Sequence, residues 1–332
     1  MVAAGTETLP SRSPRRRPAA SRDGSARRLR LGKISGPYLL ILPSVVVIVA
    51  VLAYPIYMLV RLSTQVFNIR QLLHNNNAKL GAAPINIGLK NFRTIFGDHQ
   101  FWTVLWRTFL FTVVNVGATL AIGLFLALLL LRVSKPVRIA LQVSLIFIWA
   151  LPQLVAITIW SWLFDSEFGA INYLLTKAHL GHFVKHEWFS NPLTGFMVVT
   201  IVVVWGAVPF VAITLHAVLT QVPDELVEAA RIDGASVVQV FRRITMPILR
   251  PILIILASLS VIWDFQVFSQ IWILTDYRPD PSYYTIAIYA YHLSFTNHDY
   301  GLGAAISIVT VVMLLAVSVF YIRQMIKIGE VQ

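Results

Sequence analysis

Six apolar runs, each about as long as a bilayer is thick, dominate what this chain can fold into. They cover residues 38–60, 108–131, 137–163, 194–219, 248–274 and 303–322. About 20 apolar residues cross the hydrocarbon core as a helix. Inside lipid every backbone polar group must be satisfied within the protein, and helices do this segment by segment. The expected fold is therefore all-α: a polytopic membrane protein with six transmembrane helices. Pro43, Pro55, Pro152, Pro209 and Pro251 lie inside the runs. Spanning helices tolerate proline because neighbouring groups re-satisfy the freed carbonyls.

Charge confirms the class and sets a direction. Hydrophobic residues make up 57% and charged residues only 13%, against about 25% charged in a soluble domain. Yet the net charge is +12, which would suggest nucleic acid if the basic residues shared one folded face. They do not. Residues 1–33 carry nine Lys/Arg and two acids, among Ser, Pro and Ala. This stretch has too few large apolar residues to bury a core and reads as a disordered basic tail. A basic tail ahead of an apolar run stays cytoplasmic and attracts anionic headgroups, so no nucleic-acid partner is expected. Arg27-Arg28 resembles a twin-arginine export signal. The run that follows is of full spanning length and lacks a small-residue cleavage site, which favours a retained anchor. With no cysteine, disulfides, thiolate metal sites and cysteine nucleophiles are excluded.

With the tail inside, both termini are cytoplasmic and residues 34–332 form the transmembrane domain. Its inner segments are 132–136, 220–247 and 323–332. Its outer loops are 61–107, 164–193 and 275–302, the first long enough for a small subdomain or helical hairpin. Lys and Arg are denser on the inner side, as the positive-inside rule requires.

One inner loop is distinctive: QVPDELVEAARIDGASVVQVFRRITMPILRP at 221–251. Pro223 suits position N1 of a helix, and Asp224 and Glu225 sit in the first turn, where the macrodipole favours acids. Gly234 supplies a stop. Ser236 and Gln239 form a capping box that begins a second helix, expected to run to Pro247 near the next span. An acidic helix presenting Ala229 and Ala230 suits close docking on another protein better than lying on anionic headgroups.

Glu228-Ala229-Ala230, then Gly234, Ile244 and Pro247, resemble the EAA loop of ATP-binding-cassette (ABC) importer permeases, with Met246 where that family usually has Leu. The strings EAARIDGAS and FRRITMP resemble the carbohydrate-importer branch, the maltose-type, type I importers. GLKNFRTIF, FGAINYLL and YGLGAAISI extend the likeness over most of residues 36–325. The resemblance implies a permease of a bacterial inner membrane that moves a disaccharide or oligosaccharide into the cell. It also implies partners: a second permease subunit, two copies of a cytoplasmic ATPase, an extracellular or periplasmic substrate-binding protein, and the lipid bilayer. The loop 221–247 would be the coupling loop, with Glu228, Ala229, Ala230, Asp233, Gly234, Ile244 and Pro247 facing the ATPase. ATP and Mg would be held by that partner and no cofactor by this chain, which has no G-x-x-x-x-G-K-[ST]. A catalytic role is not expected.

An ionisable residue inside a span is a functional hypothesis by default, and Asp264 lies in the fifth run. Ser260, Trp263, Asp264 and Val267 follow helical spacing, so one face would carry a hydroxyl, an aromatic ring and a carboxylate. Such a face suits a sugar, whose C–H face stacks on the ring while its hydroxyls meet the polar groups. The likeness points also to Gly206, Ala207 and Phe210 beside Pro209. The plainer alternative is that Asp264 bonds a neighbouring helix and Trp263 packs, or that the pocket lies mainly in the second permease. A further departure is Asp276-Tyr277-Arg278-Pro279-Asp280-Pro281, where many sugar permeases carry a Gly-Gly-Pro turn; it predicts a stiffer, charged outer loop. His179, His182, His186 and Glu187 have spacings a metal site could use, but read better as a hydrated loop touching a binding protein. Two other function classes compete. An ion-coupled secondary carrier would use Asp264 as its relay, but would usually show internal repeats and paired charges. A membrane enzyme would need a reactive cluster, and no His-Glu-x-x-His or G-x-S-x-G is present.

Overall fold

The computed structural model describes residues 25–75 and 83–329. The chain divides into two units, residues 1–56 and 57–332. The first contains most of helix α1 (Ser25–Ser63). The helix starts eight residues before the expected end of the disordered tail, because Ala26 to Leu31 are good helix formers with no Gly or Pro to stop them. The rest of the tail reading, residues 1–24, lies outside the described residues.

The second unit begins in the last turns of α1. A two-stranded antiparallel sheet, β1 (Gln65–Val66) with β2 (Ile85–Asn86), and helices α2 (Ile69–Asn75) and α3 (Lys90–Gly97) form a small subdomain in the first long loop. Then come α4 (His99–Arg132), α5 (Lys135–Ala150), α6 (Gln153–Leu163), α7 (Ala170–Lys177) and α8 (Pro192–Leu219). The 221–247 loop holds α9 (Asp224–Ile232) and α10 (Val237–Val240). The chain ends with α11 (Met246–Asp264), α12 (Ser269–Leu274), α13 (Ile286–Tyr291) and α14 (Tyr300–Gly329).

Among the described residues, five helical stretches are long and apolar enough to cross a membrane, and a bent pair brings the number to six when taken as one span. The pair corrects the expectation of an unbroken third span. α5 and α6 meet at 99° because Pro152 lacks an N–H and drives Leu151 out of the helical region, to ψ 135°. The fifth run is also broken: α11 stops at Asp264 and α12 starts at Ser269. In between, the amides of Gln266 and Val267 reach back only three residues, to Trp263 and Asp264, tightening the chain out of the helix.

α8 is the central helix. It runs parallel to α4: Phe111 packs on Phe196 with ring centroids 5.5 Å apart, and further along both helices Gly123 meets Val211. A Cβ at Gly123 would sit inside the Val211 side chain, so this glycine sets how closely the two helices approach. Below it, Ala127, Leu215 and Leu249 are fully buried.

At the end of the bundle away from the 221–247 loop, the other loops are knitted together. Arg107 donates to Pro281 O (2.9 Å) and Tyr284 O (3.0 Å). Tyr283 Oη donates to Phe189 O (2.8 Å), and Tyr289 Oη to Asp98 Oδ2 (2.7 Å). Trp188 Nε1 donates to Asn172 Oδ1 at 2.7 Å. Asp280 accepts from the Ser282 amide, which holds its carboxyl below the ordinary range. The turn that departs from Gly-Gly-Pro keeps a glycine-like backbone, with φ of 52° at Asp276 and 61° at Tyr277.

Candidate functional site

The two broken runs face one cavity of about 520 Å³. The end of α5 and the start of α6 supply Ile148, Trp149, Leu151, Gln153, Ala156 and Ile157. Unbroken α8 supplies Trp205, Gly206, Ala207 and Phe210, and the α11–α12 break supplies Trp263 to Gln270 except Phe265. Irregular backbone at membrane depth is tolerated only where it is buried in protein or lines a water-filled cavity. Broken helices of this sort build binding sites in transporters.

Its wall is aromatic. Trp149 stacks with Phe210 (6.3 Å between centroids), and Phe210 meets the edge of Trp263 (5.7 Å). Trp149 and Trp263 are both exposed and both line the cavity, so each presents ring surface to it. Gly206 keeps the α8 side open, since nothing lies within 4 Å of where its Cβ would be. Pro209 deprives the Trp205 carbonyl of its helical donor, adding an acceptor beside the cavity. Asp264 is only 5% exposed, and its Oδ2 has no hydrogen-bond partner. A buried acceptor left in that condition is costly, and a hydroxyl or amide N–H of a ligand would satisfy it.

Of the seven residues expected along the path, Gly206, Ala207, Phe210, Trp263, Asp264 and Val267 line this cavity; Ser260 does not. Two corrections follow. Val267 lies beyond the end of α11, so it reaches the cavity from the break and not from a shared helical face. Ser260 is buried at 5% within α11 away from the lining. Trp149, Gln153, Trp205, Gln266 and Gln270 were missed. Their signal was Pro152 and the polar pair Gln266 and Gln270 within an apolar run.

The 221–247 loop is a stiff elbow. α9 has no buried residue, and Glu228, Ala229, Asp233 and Gly234 are exposed while Ala230 is half-buried. Pro223 is the N-cap instead of the expected N1 residue. Gly234 has φ +82°; the Ala235 amide reaches Ala230 O and the Gly234 amide reaches Arg231 O. This double bond pattern closes a helix and needs a left-handed residue, which glycine supplies without strain. The capping box is present: Gln239 N donates to Ser236 Oγ (3.3 Å), and Ser236 N to Gln239 Oε1 (2.7 Å). The second helix does not stop at Pro247. It passes through a π turn, Phe241–Thr245, into α11, because Pro247 presses on the carbonyl four residues back and the helix widens there. Ile244 lies in the π turn, half-buried. Exposed Leu226, Ile232, Val237 and Val238 add an apolar rim that residue types alone did not single out.

The histidines of the 164–193 loop do not converge. His186 packs on Trp188 (4.8 Å between rings), and among the described residues no group of three His, Cys, Asp or Glu side chains is placed to hold a metal.

Comparison with known proteins places these features. Residues 119–327 match the family "Binding-protein-dependent transport system inner membrane component". The chain is 36% identical to the diacetylchitobiose uptake system permease protein DasB of Streptomyces coelicolor, over 88% of this chain and 87% of that one. It is 30% identical to the trehalose/maltose transport system permease protein MalF of Thermococcus litoralis, over 86% and 92%. In fold it resembles a chain of a bacterial alginate ABC transporter, with TM-score 0.70, 20% identity and coverage of 90% and 96%. The chain therefore belongs to the inner-membrane permease components of binding-protein-dependent ABC importers, in the branch that includes carbohydrate permeases.

Proposed function

We propose that this multi-pass inner-membrane permease imports a sugar, a disaccharide or oligosaccharide, through the cavity between the α5–α6 bend, α8 and the α11–α12 break. The observation that carries the reading is the unpartnered Asp264 carboxylate beside the Trp149–Phe210–Trp263 wall. Flat aromatic faces take the C–H faces of sugar rings, and sparse polar groups fix the hydroxyls. Permeases for diacetylchitobiose and for trehalose/maltose among the relatives support the substrate class.

The drive comes from a partner. ATP and Mg belong to a cytoplasmic ATPase present in two copies, and a second permease completes the pathway. The 221–247 loop docks on the ATPase through Glu228, Ala229, Ala230, Asp233, Gly234, Ile244 and Pro247, which places both termini in the cytoplasm. A binding protein delivers sugar to the opposite face, and this chain itself has no catalytic role. Membership of the importer family disfavours the ion-coupled carrier with Asp264 as relay. The test is uptake of radiolabelled diacetylchitobiose, trehalose and maltose by the complex in proteoliposomes, with binding protein outside and ATP inside. Uptake is expected to need ATP and the binding protein; uptake driven by an ion gradient without ATP would reject the reading.

A further inference from the structure

A second cavity, of about 450 Å³, adjoins the first, and the two share Gln266 and Phe268 as lining. Its other walls come from α13 and the turns after it, and from the first turns of α14, so it lies on the side away from the coupling loop.

Its chemistry repeats that of the first. Phe268 stacks on Trp272 (5.5 Å) and packs on Tyr291 (5.1 Å). Ser294, Ser307 and Thr310 line the same cavity. Ser307 and Thr310 already donate their hydroxyl protons to Gly303 O and Ile306 O, each at 2.9 Å. Gln266 donates its amide to Ile262 O (3.2 Å). The hydroxyls of Ser307 and Thr310 still offer acceptor lone pairs, and Gln266 keeps its carbonyl oxygen and one amide N–H. Among the described residues, neither cavity is lined by Lys, Arg or His, and the one charged lining residue is Asp264. Hydroxyl, amide and carboxyl groups without a cation suit a solute of many hydroxyls and offer an anion no counter-charge.

We infer that the two cavities are consecutive subsites for one uncharged oligosaccharide, with its leading rings in the first and a trailing ring over Phe268 in the second. The inference rests on the first cavity being the sugar site, and it adds substrate length and charge. It fits the aromatic series Tyr277–Trp272–Phe268, which runs from the strained turn at Asp276 and Tyr277 to the shared wall.

The chain has no cysteine, which makes single thiols readable. Ala207→Cys reports on the first cavity and Thr310→Cys on the second, each in the complete complex trapped with vanadate and exposed to a membrane-impermeant methanethiosulfonate. Triacetylchitotriose is expected to slow modification of both variants by about tenfold. Diacetylchitobiose should slow Ala207→Cys alone, and trigalacturonate neither. Protection of Ala207→Cys with no protection of Thr310→Cys by the trisaccharide would overturn the second subsite. Protection by trigalacturonate would overturn the neutral substrate. Absence of protection at Ala207→Cys by either chito-oligosaccharide would count against the first cavity itself. As a second measure, Tyr291→Ala should raise the apparent KM for triacetylchitotriose and leave that for diacetylchitobiose unchanged; an equal rise for both would also overturn the proposal.

Discussion

The coupling loop and the central cavity are built on opposite principles. The loop is shaped by residues close in sequence: Gly234 closes α9, and Ser236 with Gln239 opens the next helix. Its working surface is exposed and needs no other part of the chain to exist. The cavity draws on α5, α6, α8, α11 and α12, segments more than 100 residues apart. It exists because two apolar runs fail to stay helical where they face an unbroken third. Stiffness in this molecule is written locally, and space is written by long-range failure of regular structure.

Six variants at five positions test that contrast, beginning with the largest effect. Gly234→Pro forbids the φ of +82° and removes the amide that bonds Arg231 O. This change, and Glu228→Lys, should abolish ATP-driven uptake while the permease still assembles in the membrane; retained uptake in both would remove the loop from the coupling path. Gly206→Phe should fill the cavity and lower uptake about a hundredfold, whereas Gly206→Ala, whose Cβ meets open space, should resemble the parent. Similar rates for the parent and the Phe variant would mean that sugar does not pass Gly206.

Asp264→Ala is expected to cost about tenfold in sugar-stimulated ATP hydrolysis, with much less effect on the basal rate. An equal loss in both would mark Asp264 as structural. The smallest effect belongs to Ser236→Ala. Loss of the capping box should weaken the start of α10 by about 1 kcal/mol, seen as faster amide exchange at Gln239 and Val240 with uptake reduced only a few-fold. Unchanged exchange would show that the π turn and α11, and not the cap, hold this segment.

Much of the loop was legible beforehand because caps and stops act over three or four residues, within reach of a reading along the chain. The spans were legible as lengths, and their continuity was not. Pro152 looked like one more tolerated membrane proline, yet it turns the chain through 99°, while Pro209 leaves α8 helical. The difference lies in the neighbours: α8 is packed on several sides and α5 has no buried residue. Trp149 and Gln153 escaped notice for the same reason, since only the bend brings them to Phe210 and Asp264. Ser260 was assigned to the cavity by helical spacing, and the real lining turned on where α11 ended.

From Val237 to Asp264 the helical path covers 28 residues, about 42 Å at 1.5 Å per residue. One tip stands beside Gly234 and the other carries the carboxylate in the cavity. If the ATPase moves the elbow, this rod delivers the stroke to the sugar with little lost motion. The π turn at Phe241–Thr245 lies near the driven end of this rod, where a small change in pitch swings the far tip most.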